Sequence, residues 1–332
     1  MKEKNYSISL LKILSCFAVL ALHTQRNYNL MIVHNPILYY FSRYAIPIFF
    51  MVNGFLILSK ERANDYYIKK IKSIIIFIII WSLILGILKK SNPFDILLKS
   101  MLSEGTLSIF WFFWALIIIY TFNMIIRKII HNKNNKKNIL LIFFVFFIIC
   151  LVVDIFQFIY FRKTGIFFKI CIPQTFRIWT WIMYFYLGGI INKIIRACKN
   201  IKFLLIFLIF IVLSILSVIL QYYLFCVLSN KINSEYIYDN IIIILWSISL
   251  FLLINRIKIN RNALKKVITF VEDKTTGVYP IHILFIKVFN LTYHTNGWLY
   301  STIIWVMLIL FSIISTYILS LNKITKKLVT IK

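Results

Sequence analysis

Long apolar runs alternate with short polar interruptions along the whole 332-residue chain. Ile74–Ile80, Leu140–Val153 and Phe203–Leu220 are almost unbroken, and such runs approach or reach the roughly 17–25 apolar residues that cross a bilayer's hydrocarbon core. Division at the polar interruptions predicts helical spans at 8–26, 44–59, 73–88, 108–126, 138–160, 175–192, 203–228, 239–254, 275–292 and 298–320. An even number of spans puts both termini on one side. No long polar linker separates one apolar region from another, so 1–332 reads as a single polytopic domain. The expected fold is an all-α integral membrane protein, a bundle of about ten transmembrane helices with both termini cytoplasmic.

Composition agrees, with 61% hydrophobic and only 14% charged residues, against about 45–50% and 25% in soluble domains. Charge sharpens the picture. The chain carries 38 Lys+Arg against 10 Asp+Glu, a net +28. With the N-terminus inside, 26 of those 38 basic residues fall in cytoplasmic segments and 7 in outer ones, while Lys12, Arg26, Arg43, Arg177 and Lys287 lie in or beside spans. That asymmetry follows the positive-inside rule. A nucleic-acid partner is not expected, because its basic residues would cluster on one face and these recur between apolar segments. Abundant Ile, Lys, Asn, Phe and Tyr also fit AT-rich coding, which accounts for part of the lysine excess.

Cys16, Cys150, Cys171, Cys198 and Cys226 occur singly, with no CxxC pair and no histidine at zinc-ligand spacing. They read as small membrane-core residues, and no metal site is expected. Lys12 interrupts the first apolar stretch and no small-residue cleavage site follows it, so that stretch reads as a retained helix. No internal repeat of the inverted-transporter kind is visible.

Ionisable residues inside spans are costly in hydrocarbon and are functional candidates by default. Lys12 and His23 are eleven positions apart, nearly three helical turns, which puts them on one stripe about 16 Å apart. Ser9, Ser15 and Arg26 fall close to the same stripe. The plainer alternatives are that Lys12 and Arg26 snorkel to headgroups and that His23 is a satisfied interhelical residue. In the second span Arg43 stands at the outer boundary, and Pro47 and Gly54 mark a kink or the close approach of another backbone. Arg177, Trp181, Tyr184 and Gly188 form a stripe at helical spacing; Arg177 suits the orientation of a sugar or the polarisation of an acyl carbonyl, or equally an interfacial anchor. Tyr279 and His282 lie one turn apart. Asp154 is an acid well inside a span, with no partner that the sequence can name.

Lys12-x10-His23, Ile46-Pro47-Ile48-Phe49-Phe50-Met51-Val52-Asn53-Gly54-Phe55, Phe110-Trp111-Phe112-Phe113-Trp114-Ala115-Leu116 and Gly277-Val278-Tyr279-Pro280-Ile281-His282 occur in that order. Together they resemble the successive signatures of the membrane-bound acyltransferase-3 family, whose polytopic bacterial members acylate extracytoplasmic carbohydrates and related acceptors. The resemblance runs from the first helix to the ninth. The family more often has Arg where Lys12 stands, an Asp where Ser9 stands, and Ser-Gly where Asn53-Gly54 stands.

The resemblance implies a membrane O-acyltransferase, most simply an O-acetyltransferase of the bacterial cytoplasmic membrane. No cofactor is held; acetyl-CoA or another acyl-CoA is the donor, and a polysaccharide or glycolipid hydroxyl is the acceptor. His23 is the expected general base, or less simply a transient acyl carrier. Lys12 is its catalytic companion at the donor end. Arg26, Arg43, Asn53, Trp111, Arg177, Tyr184, Tyr279 and His282 are expected to bind substrate or donor. Basic residues suit a polyanionic donor, and Lys60, Arg62, Lys69, Lys70 and Lys72 add to them or serve topology alone. A glycan transporter or flippase using the same bundle without covalent chemistry is the alternative, and a membrane sensor or scaffold a weaker one.

Overall fold

The computed structural model describes residues 4–27, 32–126, 135–227, 236–288 and 297–331. It is helical almost throughout. The helices are α1 (Tyr6–Thr24), α2 (Pro36–Phe41), α3 (Ala45–Leu58), α4 (Asn64–Lys89), α5 (Pro93–Met101), α6 (Trp111–Ile125), α7 (Asn135–Thr164), α8 (Ile178–Ala197), α9 (Phe203–Val227), α10 (Ile241–Asn255), α11 (Asn262–Glu272), α12 (Thr275–Val288) and α13 (Trp298–Leu321). A two-residue antiparallel ribbon, β1 (Arg26–Asn27) and β2 (Ile32–Val33), pairs Arg26 with Val33.

The abundant asparagines have a local role. Asn5, Asn35, Asn92 and Asn240 precede α1, α2, α5 and α10, and each accepts from a backbone N–H of the first turn. That satisfies a donor the helix itself leaves orphaned. Pro36 and Pro93 follow two of these caps, where a missing N–H costs nothing.

Among the described residues, eight helical segments are long and apolar enough to cross a membrane. Two shorter apolar helices, Ile241–Asn255 and Thr275–Ile286, stand where the eighth and ninth expected spans, 239–254 and 275–292, were placed. Several elements begin earlier than the apolar pattern suggests. α2, the turn 42–44 and α3 together fill Pro36–Leu58, and α4 starts at Asn64 because its polar first turns are helical too. The segment between 255 and 274, expected to be a basic loop, contains α11.

The described residues form two compact units. The first comprises residues up to Asn53 and Ile191–Leu321. In it α1 is the central helix, packed against α2, the turn 42–44, α10, α11, α12 and α13. Polar ties bind it to its neighbours. Gln25 Nε2 donates to the Ser301 carbonyl at 2.9 Å, and Ser301 Oγ donates back to Gln25 Oε1 at 2.7 Å. Trp305 Nε1 donates to the Phe17 carbonyl. By contrast α9 and α13 leave most of their apolar surface uncovered, as helices facing lipid would.

The second unit holds Gly54–Ile190 and the C-terminal segment from Asn322. Here Gly54 meets α8 so closely that a Cβ would sit 1.7 Å from the Phe185 carbonyl oxygen. A side chain at 54 would therefore force two backbones apart, which is the close approach expected of this glycine. Tyr186 O–H donates to Asn123 Oδ1 at 2.7 Å, and Trp81 Nε1 donates to the Leu328 carbonyl at 3.0 Å.

Candidate functional site

Because α1 is surrounded, the polar residues on its stripe must find partners within the first unit. Lys12 does so at one end. Its Nζ lies 2.8 Å from Glu272 Oε1 at the C-terminal end of α11. Ser9 Oγ donates to the other oxygen, Oε2, at 2.8 Å, and Lys4 Nζ reaches the same oxygen at 2.7 Å. Three donors thus converge on one carboxylate. Burial works against its charge, but the hydrogen bonds from Lys12, Lys4 and Ser9 outweigh it and hold the Glu272 pKa at about 2, from an ordinary 4.5. Glu272 had no place in the sequence reading.

Toward the other end of α1, His23 meets His282 of α12, with ring centroids 5.4 Å apart. Pro280 lies inside α12, two residues from this histidine. His282 is fully buried. Its Nδ1 is 3.1 Å from the Val278 carbonyl oxygen one turn back; a carbonyl can only accept, so Nδ1 carries the proton. Nε2 then presents a lone pair, and it has no hydrogen-bond partner among the described residues. Tyr279 packs edge-on to His282 at 6.0 Å. Cys16, between the two ends of the stripe, contacts the Thr275 carbonyl at the start of α12 through its sulfur. The sequence-predicted residues Lys12, His23, Tyr279 and His282 are therefore gathered along one face of α1 by α11 and α12.

Arg43 is buried in the turn 42–44; its guanidinium hydrogen-bonds the Tyr39 hydroxyl and lies 4.5 Å from the centre of the same ring. Asn53 Nδ2 donates to the Phe49 carbonyl of its own helix at 2.9 Å. Arg26 stands in the short ribbon, and its side chain lies outside the described residues.

The remaining predicted site residues belong to the second unit. Trp111 packs on Trp181, ring centroids 5.0 Å apart, and Tyr184 is fully buried. Arg177 donates from Nε and Nη2 to the Ile172 carbonyl and from Nη2 to the Lys169 carbonyl. These bonds fold the 168–177 segment onto the start of α8. Asp154 finds its partner in the same segment. Lys169 Nζ is 3.4 Å from its carboxylate, and the lysine's backbone N–H donates to Gln157 Oε1 at 3.0 Å. Among the described residues, no group of three or more His, Cys, Asp or Glu side chains could hold a metal ion.

These features define a multi-pass membrane protein whose buried helix α1 carries an ammonium near one end and an imidazole near the other. A family model for an acyltransferase domain, that of the acyltransferase-3 family, matches residues 5–321. The chain belongs to that family, and it is an acyltransferase. No curated protein matches it, and no solved structure does. As an acyltransferase it uses an acyl donor and an acceptor, in a lipid environment.

Proposed function

We propose that the chain is an O-acyltransferase, most simply an O-acetyltransferase, of the bacterial cytoplasmic membrane, crossing it ten times with both termini in the cytoplasm. It moves an acyl group from a cytoplasmic acyl-CoA to a hydroxyl of an extracytoplasmic polysaccharide or glycolipid precursor. The observation that carries this reading is the paired imidazoles His23 and His282, on the helix whose other end holds Lys12.

A hydroxyl acceptor must lose its proton as it attacks the thioester carbonyl. His23 takes that proton, the new C–O bond forms, the C–S bond breaks, and the departing thiolate takes the proton from the His23 imidazolium to leave as coenzyme A, which restores the neutral base. Neutral imidazole is suited to the task near pH 7. His282, its Nδ1–H committed to Val278, offers an acceptor at Nε2 for a neighbouring hydroxyl of the acceptor, the reacting hydroxyl giving its one proton to His23. Lys12 attracts the polyanionic donor, and Glu272 holds the ammonium in place until the donor arrives. Arg43, Asn53 and Tyr279 complete substrate binding.

The test is acylation of a carbohydrate acceptor by membranes given radiolabelled acetyl-CoA. His23→Ala should lower the rate about 10²–10⁴-fold, the usual contribution of a positioned general base. Lys12→Ala should act chiefly through a raised KM for the donor. Full activity of the His23 variant would remove the proposed mechanism.

A further inference from the structure

The second unit has a cleft that the acyl-transfer reading does not use. It has a volume of about 520 Å³ and is lined by Ser73, Ile76, Phe77 and Ile80 of α4 and by Lys323, Lys326, Lys327 and Thr330 of the C-terminal segment. Its two walls differ in kind. The C-terminal segment supplies three lysines and a threonine, while α4 supplies a serine and an apolar floor of two isoleucines and a phenylalanine.

The basic wall is held in place. Residues Thr325–Leu328 form a short 3-10 turn. The Leu328 carbonyl accepts from Trp81 Nε1 of α4, and Val329 is fully buried. Lys323, Lys326 and Lys327 are thereby presented over α4. None of the described carboxylates pairs with any of the three, and none of them lines the cleft. The floor does not end at the cleft. Ile76 is 57% exposed, and Ile79, Leu83 and Ile87 continue an uncovered apolar stripe up α4 at helical spacing.

We propose that this cleft is a binding site for an anionic phospholipid of the leaflet that the N-terminal end of α4 reaches. The phosphate sits among Lys323, Lys326 and Lys327, and an acyl chain lies along Ile76, Ile80 and the stripe beyond. Clustered lysines beside a membrane helix attract phosphate headgroups electrostatically, and an apolar track accepts hydrocarbon but gives a soluble phosphate nothing. The charge complementarity selects an anion; the track selects a lipid over coenzyme A or inorganic phosphate.

Retention of lipid by the detergent-purified full chain, read by native mass spectrometry without donor or acceptor, tests this independently of acyl transfer. Phosphatidylglycerol should be retained over phosphatidylcholine of the same chains. K323Q/K326Q/K327Q should lose that preference by about fivefold for each ammonium removed, while K199Q/K202Q/K258Q, an equal change of charge elsewhere, should keep it. Ile76→Asn with Ile80→Asn should weaken retention of long-chain over dioctanoyl phosphatidylglycerol. An unchanged preference in the lysine variant overturns the site. Displacement of phosphatidylglycerol by millimolar coenzyme A or phosphate alone overturns the lipid assignment and makes it a soluble-phosphate site.

Discussion

Each unit contains a lysine–carboxylate pair, and the two pairs are built to opposite ends. Lys169 and Asp154 are sealed in the second unit, the lysine side chain 1% exposed and the N···O distance 3.4 Å. Lys12 and Glu272 are closer, at 2.8 Å, yet the Lys12 side chain is 29% exposed. The sealed pair is surrounded by structural bonds, Gln157 to the Lys169 N–H and Arg177 to the Lys169 carbonyl. The open pair shares its carboxylate with Ser9 and Lys4 and sits on the helix that carries His23. A buried ion pair holds because separating it would strand charge away from water. A half-open one can exchange partners, which is what a residue meant to meet an anionic donor needs.

The largest expected effect lies in the sealed pair. Lys169→Met keeps the apolar stem but takes the ammonium away from the buried Asp154 carboxylate, and loss of one partner of such a pair costs about 3–5 kcal/mol. The variant should melt far below the wild type in detergent, and adding Asp154→Asn should recover much of the loss. A Lys169→Met protein as stable as wild type would mean that the pair is not sealed.

Glu272→Gln should separate stability from activity. The network is partly open to solvent, so its removal should cost only about 1 kcal/mol. Its effect on donor use should be larger, since Lys12 loses the group that positions it. The check is a split between KM and kcat for the acyl donor, with KM moving more. If stability falls and the donor KM does not, Glu272 is a structural residue only.

Most of the fold is legible from hydrophobic patterning because a membrane helix must satisfy its backbone internally and show apolar side chains to lipid. The helix stripe of Lys12 and His23 follows from spacing alone. What escapes is pairing across distance. Nothing local to Lys12 points to Glu272, 260 positions away, and nothing local to Asp154 selects Lys169. The nearest signal for Glu272 is scarcity, one of 10 acids, standing just before the helix of His282. α11 was also hidden, because Arg261, Lys265 and Lys266 read as topological charge while Leu264, Val267 and Phe270, all exposed on its surface, carry the helical period. Arg177 shows the limit of residue type as a guide: its placement suits substrate, and its guanidinium donates to the carbonyls of Lys169 and Ile172.

The smallest effect should appear with pH, and its sign follows from the direction of the Glu272 shift. The folded carboxylate titrates at about 2 and an unperturbed one at 4.5. Its pKa is lowered by folding, so its stabilising contribution is complete above 4.5 and is lost as pH falls through the folded value. Melting temperatures measured downward from pH 5.5 should therefore decline between 4.5 and 2 with a component that Glu272→Gln removes. Lys4→Gln should remove part of that component, because Lys4 is one of three donors to the carboxylate and 34% exposed. Lys12→Gln should remove more, since it supplies the larger share of the attraction. Equal effects from the two lysines would mean that the clasp belongs to the whole N-terminal turn, and the contrast between an exchangeable Lys12 and a sealed Lys169 would lose its footing.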